Sequence, residues 1–146
     1  MKNAVTLAAV AMSIGAALAN ESGPEQAVLE ALLRHVVAEA QSDRTPAKAI
    51  CVGGYDSDQI SIVRARVTAD VPIVGDRSAC PIQEAGNRER AYVVVFLGRA
   101  VRVSDVEYIV RARVYRNPLD AVERQFTLNL KDGRWIITKS AVNWVS

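Results

Sequence analysis

The sequence predicts an α+β fold in which an N-terminal amphipathic helix packs on a four-stranded antiparallel meander sheet, with one disulfide as a covalent staple. Three observations predict this architecture. Apolar residues recur at helical spacing between residues 24 and 41, apolar and polar residues alternate from residue 91 onward, and the chain contains two cysteines. Helices that precede a run of sequential strands are typical of α+β domains. With 50% apolar and 23% charged residues, the composition is that of an ordinary globular domain.

The first 19 residues have the features of a secretory signal. Lys2 provides a positive start, residues 4–18 carry no charge, and Ala17-Leu18-Ala19 is a small-residue cleavage site. The apolar stretch is shorter than the roughly 20 residues that a membrane-spanning helix needs. We therefore expect a signal peptide over residues 1–19 and a single domain over residues 20–146. That domain is expected in the periplasm or outside the cell, with no membrane span after signal removal.

Cys51 and Cys80 are the only cysteines in the chain. An even cysteine count in an exported protein predicts a disulfide, and closing a loop of about 30 residues adds roughly 3.5 kcal/mol of stability. The alternatives are reactive thiols or metal ligands. A nucleophilic thiol needs a nearby base, and the single histidine, His35, lies on a different predicted element. Two cysteines and one histidine do not make a zinc site, so we expect no metal and no cofactor.

The helical half begins with the apolar stripe of Pro24–Gln41, preceded by a capping-box pattern. The segment Thr45–Ile50 fits a short helical turn, and Gly53 and Gly54 indicate a bend or a close backbone approach. Residues 60–67 fit both a helix and a strand. We favour the helix, capped by the preceding Ser57 or Asp58.

Four strands follow. The first is Tyr92–Leu97, which can continue through a bulge at Gly98 to Val103, and the second is Val106–Tyr115, with clean alternation of apolar and polar residues. A third runs over residues 122–130 and a fourth over residues 135–138. Between the last two, Asp132-Gly133 is typical of a type I′ hairpin turn.

Two resemblances extend this interpretation. Gly133-Arg-Trp135 followed by alternating apolar residues resembles the last hairpin of NTF2-like domains, and the stretch from Tyr92 to Trp144 is similar to cystatin-like and NTF2-like folds, in which a helix packs on a curved antiparallel sheet. A second resemblance is to small exported bacterial proteins, and it is carried by four short segments: Ile50-Cys51-Val-Gly53, Arg77-Ser-Ala-Cys80, Gly133-Arg-Trp135 and Trp144-Val-Ser146. It implies the disulfide and no particular activity.

The functional hypothesis that the sequence favours is a non-catalytic exported domain with a binding or structural role. The net charge of +2 gives no whole-molecule attraction to nucleic acid. A set of arginines on the predicted strands forms a candidate anion-binding face for an anionic glycan, a lipid headgroup or another protein: Arg99, Arg111, Arg113 and Arg124. The other interpretation of these arginines is a solvated face balanced by Asp105, Glu107 and Glu123.

Two further hypotheses stay open. One is a small enzyme with a pocket between helix and sheet, whose acid–base groups would be Tyr108, Asp105, Glu107 and His35. The other is a periplasmic inhibitor or immunity-type protein, which small size, export and a disulfide would suit. The sequence does not identify the ligand or partner.

Overall fold

A computed structural model describes residues 23–42, 47–75, 92–117 and 120–146 of the chain, and the predicted signal segment 1–19 lies outside these residues. The described part is an α+β arrangement of two helices and one mixed sheet. In chain order its elements are α1 (Pro24–Ser42), β1 (Ala49–Gly54), α2 (Ser57–Arg66), β2 (Ile73–Val74), β3 (Tyr92–Leu97), β4 (Val101–Ser104), β5 (Glu107–Asn117), β6 (Asp120–Lys131) and β7 (Arg134–Val145).

Helix α1 forms where the apolar stripe predicted a helix, and it ends one residue later than expected, at Ser42. The side chains of its stripe are the ones that are buried, which explains why the periodicity was visible in the sequence. These buried residues are Val28, Leu29, Leu32, Leu33, Val36, Val37 and Ala40. The helix begins at residue 24 and not at the start of the chain, so the prediction of an N-terminal helix is wrong.

The prediction of a four-stranded antiparallel meander is wrong, because the described residues form a sheet of seven strands with mixed polarity. The additional strands are β1 and β2, together with β4 as a separate short strand. Strand β1 lies next to the edge strand β2, and it pairs in parallel with β2 on one side and with β3 on the other. The strand order is β2-β1-β3-β5-β6-β7, and β4 pairs with β5.

Strand β1 was not predicted from the sequence, and the reason is its burial. Its residues Ile50, Cys51 and Val52 are all buried, so the strand shows a continuous apolar run instead of alternation. The predicted helical turn is therefore wrong for Ala49 and Ile50, which belong to this strand. The expected close approach at Gly54 is confirmed, since a Cβ there would lie 2.9 Å from the carbonyl oxygen of Leu97.

Strands β3 and β4 pair with the same edge of β5, one after the other. The residues between them, 98–100, interrupt the pairing, and the backbone N–H of Gly98 donates to the carbonyl oxygen of Arg111 at 2.8 Å. The predicted single strand with a bulge at Gly98 is therefore two strands, β3 and β4, which pair with β5 in succession.

Strands β5, β6 and β7 form the antiparallel meander that the alternation predicted. Asp132 and Gly133 have φ values of 52° and 76°, which confirms the turn with two positive φ angles. Strand β7 continues to Val145, well beyond the predicted residue 138. As an edge strand it is largely exposed, so its second half lacks the apolar alternation that marks a half-buried strand.

Helix α2 resolves the ambiguity at residues 60–67 in favour of a helix. Its cap is Asp56, whose carboxylate accepts hydrogen bonds from the backbone N–H groups of Asp58 and Gln59, each at 3.1 Å. The prediction that Ser57 or Asp58 is the cap is therefore wrong by one or two residues. Ile60 and Val63 face the core, because both are buried.

Both helices cover one face of the sheet, where a single apolar core collects side chains from α1, α2 and alternate positions of the strands. Phe126 of β6 is its largest fully buried side chain. Among the described helices, none is long and apolar enough to cross a membrane.

Candidate functional site

The second face of the sheet carries no helix among the described residues. Register places Val94 and Phe96 of β3 beside Tyr115 and Arg113 of β5 on this face. Phe96 is 41% exposed, which is unusual for a phenylalanine in the middle of a sheet. We call this second face the open face.

A cavity of about 520 Å³ is lined by residues of the open face and by residues of helix α2. Its apolar part includes Val94 and Phe96, and its polar part is contributed by α2 and β5. Gly75, which follows β2, also lines the cavity, and residues 76–91 lie outside the described residues. Among the described residues, the lining consists of Cys51, Val52, Gly53, Gly54, Ser57, Ile60, Ser61, Arg64, Gly75, Val94, Val95, Phe96, Arg113 and Tyr115.

Arg64 in the wall of this cavity is half-buried. Its guanidinium lies against Gly75 so closely that a Cβ at position 75 would overlap it. Within the part of the chain that the structure describes, no hydrogen bond or ion pair of the Arg64 side chain is found. A half-buried charge without a counter-charge is unfavourable, because it loses water without gaining a partner.

Arg113, by contrast, has a partner. Its Nε donates to Oε1 of Glu123 at 2.8 Å, and Nδ2 of Asn143 donates to Oε2 of the same carboxylate at 3.3 Å. The hydrogen bond to Glu123, followed by one to Tyr115, raises the pKa of Arg113. The hydrogen bond from Arg113 is also the main reason that the pKa of Glu123 is lowered, although burial works against this. The Arg113 guanidinium also lies 5.7 Å from the ring centroid of Trp144.

The structure brings together only two of the four arginines predicted to form an anion-binding face. Arg111 and Arg113 share the open face, because they are two residues apart on β5. Arg124 lies on the opposite, helix-covered side, where its Nη1 donates to Oε1 of Glu39 at 3.2 Å. The physical reason is register: Arg124 pairs with Ala112, a core residue, and so points to the same side as the core.

Arg99 is also separate from that pair. It lies in the interruption between β3 and β4, and its guanidinium is 4.3 Å from the ring centroid of Tyr55. Residues near it form a small polar recess that includes Glu25 and Asp56. The recess contains two carboxylates beside one arginine, so it is not an anion site.

The acid–base groups proposed for an enzyme do not converge in the described structure. Tyr108 is buried in the core, with its ring edge-on to Trp135 at a centroid distance of 5.3 Å. Glu107 directly precedes Tyr108 on β5, so its side chain lies on the open face. There it accepts a hydrogen bond from Asn129 at 3.3 Å.

The other two acid–base candidates lie elsewhere. Asp105 is in the turn between β4 and β5, where it pairs with Arg102. His35 is on α1, and its Nε2 lies 2.9 Å from Oε1 of Glu39. Glu39 is shared with Arg124, so this cluster ties a helix to the sheet.

Cys51 lies in β1, where it is only 3% exposed, and it contributes to the cavity lining. Its predicted partner, Cys80, lies outside the described residues, so their pairing stays a prediction. No cysteine in the described ranges is a free thiol. No cluster of three or more His, Cys, Asp or Glu side chains suited to a metal ion is found in those ranges either.

Sequence reasoning missed Ser57, Ser61, Arg64 and Gly75 as site residues. The sequence does indicate Ser57, Ser61 and Arg64 if the segment is taken to be a helix. Positions 57, 61 and 64 follow the four- and three-residue steps of one helical face, next to the apolar positions that face the core. The role of Gly75 was not visible, because it depends on a contact between two elements.

Comparison of the chain with protein-family models, with curated proteins and with solved structures finds no match. The resemblance to cystatin-like and NTF2-like folds therefore stays a prediction, and the function rests on the geometry of the site.

Proposed function

We propose that the chain is a non-catalytic binding domain that holds a small organic molecule in the cavity lined by the open face and α2. The observation that carries this proposal is the cavity itself. Its volume of about 520 Å³ lies within the range of roughly 300–1,000 Å³ that is typical of ligand pockets. The combination of an apolar surface with a few polar groups is also typical of such pockets.

The exposure of Phe96 supports the proposal. A phenylalanine that is 41% exposed on a sheet leaves apolar surface in contact with water, and covering that surface is favourable. Val94 and Tyr115 flank it at adjacent register positions, so a flat apolar molecule would contact several side chains at once.

The test uses N-phenyl-1-naphthylamine, an uncharged fluorophore whose emission rises in apolar surroundings, titrated into the folded full-length domain. We expect saturable binding, and we expect Phe96→Ser to weaken it about tenfold, because loss of one aromatic contact removes roughly 1.4 kcal/mol. Ile136→Ser is the matched control, since Ile136 is 44% exposed on the same sheet but lies outside the cavity lining. Absence of saturable binding, or an equal loss in both variants, would contradict the proposal.

The proposal includes an exported location. It is supported by the signal-like residues 1–19 and by Ala17-Leu18-Ala19 as the cleavage site. Intact-mass measurement of the protein recovered from the periplasm or the medium is expected to find Asn20 as the first residue. Recovery of the chain with residues 1–19 still attached would contradict this part of the proposal.

A further inference from the structure

We infer that the ligand of this cavity is an organic acid, whose acidic group binds the Arg64 guanidinium while its apolar body lies on Val94 and Phe96. This inference rests on the proposed function, because it names the chemical class of ligand for the same cavity. It goes further by assigning Arg64 as the residue that selects the ligand.

Arg64 is a cation without a counter-charge among the described residues. Its side chain is half-buried in the cavity wall, and no acidic partner is found for it in the described part of the chain. Removal of a guanidinium from water is costly unless a counter-charge or hydrogen-bond acceptors replace the water. An acidic group in the cavity supplies both, and the planar guanidinium matches carboxylate and sulfonate oxygens with two parallel hydrogen bonds.

The position of the Arg64 guanidinium depends on Gly75. The guanidinium occupies the space that a side chain at position 75 would fill, so the absence of a Cβ in Gly75 is what allows this position. Ser57 and Ser61 line the cavity from the same helical face as Arg64. Their hydroxyls are additional donors for the oxygens of a bound acid.

The described lining of the cavity is positively charged. Its described lining includes Arg64 and Arg113 and contains no aspartate or glutamate. Glu123 accepts a hydrogen bond from Arg113 at 2.8 Å and neutralises much of its charge, whereas Arg64 has no such partner among the described residues. Arg64 is therefore the group that an acid would neutralise, and Arg113 adds a weaker attraction.

The experiment compares two probes that share one ring system. 8-Anilino-1-naphthalenesulfonate carries a sulfonate, and N-phenyl-1-naphthylamine is the same diarylamine without it. With the full-length folded domain, we expect the sulfonate to bind about tenfold or more tightly than the uncharged probe, because a charge-assisted hydrogen bond stabilises only the former. We expect this preference to weaken at higher salt concentration.

Two substitutions address Arg64 directly. Arg64→Gln is expected to abolish the preference for the sulfonate, so that the two probes bind with similar affinity, and far-UV circular dichroism shows that the variant is folded. Gly75→Ala is expected to reduce the preference while keeping the charge, because the new Cβ displaces the guanidinium. Arg66→Gln is the matched control, since it removes the same charge from the same helix outside the cavity lining.

The outcomes separate this inference from the proposed function. Equal affinity of the wild-type domain for both probes, or a preference that survives in Arg64→Gln, would overturn the inference while the uncharged probe still supports a binding cavity. Failure of both probes to bind would overturn the proposed function and the inference together. If Arg64→Gln does not fold, Arg64→Lys replaces it. We then expect a weaker preference for the sulfonate than in the wild type, and a preference as strong as that of the wild type would count against recognition by the planar guanidinium.

Discussion

Glu39 on α1 and Arg124 on β6 form an ion pair between the helix layer and the sheet. Nη1 of Arg124 donates to Oε1 of Glu39 at 3.2 Å, and a second contact joins Nη2 to Oε2. Partial burial opposes ionisation of Glu39, but the hydrogen bonds and charge of Arg124, with a smaller contribution from His35, outweigh it and lower the pKa of Glu39. Register places Arg124 on the helix-covered side of the sheet, so it takes no part in the open face.

The first prediction concerns acid stability. Because the folded-state pKa of Glu39 is lowered, its contribution to stability is fully present above its ordinary value of about 4.5 and is lost as the pH falls through the lowered value. Glu39→Gln is therefore expected to reduce the free energy of unfolding by no more than about 1 kcal/mol at neutral pH, since both side chains are partly exposed. The difference from wild type should shrink below pH 4.5. Urea unfolding from pH 3 to 7 measures it, and Asp70→Asn, at an exposed position, is the control.

The second prediction concerns Arg113 and Glu123. Glu123 is buried, with 7% exposure, so Arg113→Gln leaves its carboxylate with Asn143 as its remaining described donor. We expect Arg113→Gln to destabilise the domain by about 1 kcal/mol more than the double variant Arg113→Gln/Glu123→Gln, because an unpaired buried charge costs more than a neutral pair. A double-mutant cycle by chemical denaturation tests this. Additive effects of the two substitutions would show that the ion pair is energetically neutral.

The third prediction concerns the β6–β7 turn. Gly133 has a φ of 76°, a conformation that disfavours a side chain, so Gly133→Ala is expected to lower the free energy of unfolding by about 1 kcal/mol. Gly133→Asn should cost less, because asparagine adopts this conformation more readily than alanine. Thermal unfolding ranks the variants. An alanine variant as stable as wild type would mean that the turn does not need a positive φ at this position.

The fourth prediction concerns the cap of α2. Asp56→Ala removes two hydrogen bonds to backbone N–H groups and is expected to cost about 1 kcal/mol, whereas Asp56→Asn should retain most of the stability. Helix α2 carries Arg64, so we also expect Asp56→Asn to keep the sulfonate preference proposed above. Chemical denaturation measures the first effect, and equal destabilisation by both substitutions would rule out a capping role.

The sequence predicted the elements whose burial pattern is regular. Helix α1 and the β5–β6–β7 meander bury one side each, so their periodicities of 3.6 and 2 are visible in the residue order. The turn at Asp132-Gly133 was predictable because it requires particular residues. Strand β1 was not, because it is buried along its middle and shows no alternation.

The candidate site was less predictable than the fold. The grouping of four arginines assumed a register that the structure does not have, and only Arg111 and Arg113 share a face. The cavity depends on Arg64 and Gly75, which come together because β2 returns beside β1 in a parallel pairing. That pairing joins elements separated by a helix, and no local pattern in the sequence encodes it.

The position of β1 between β2 and β3 also has a consequence for how the protein reaches its native state. The β5–β6–β7 hairpins join residues that are close in sequence, whereas β1 must find β3 across the interval from Gly54 to Tyr92. Closing such an interval carries an entropic penalty before any pairing stabilises it, so we expect the hairpins to form early and β1 to insert late. Pulsed amide hydrogen exchange during refolding is expected to protect Phe126 and Leu128 before Val52. The cavity, which β1 helps to line, would then form only in the final folding step. A partly folded chain that lacks the β1–β3 pairing would therefore not bind the ligand.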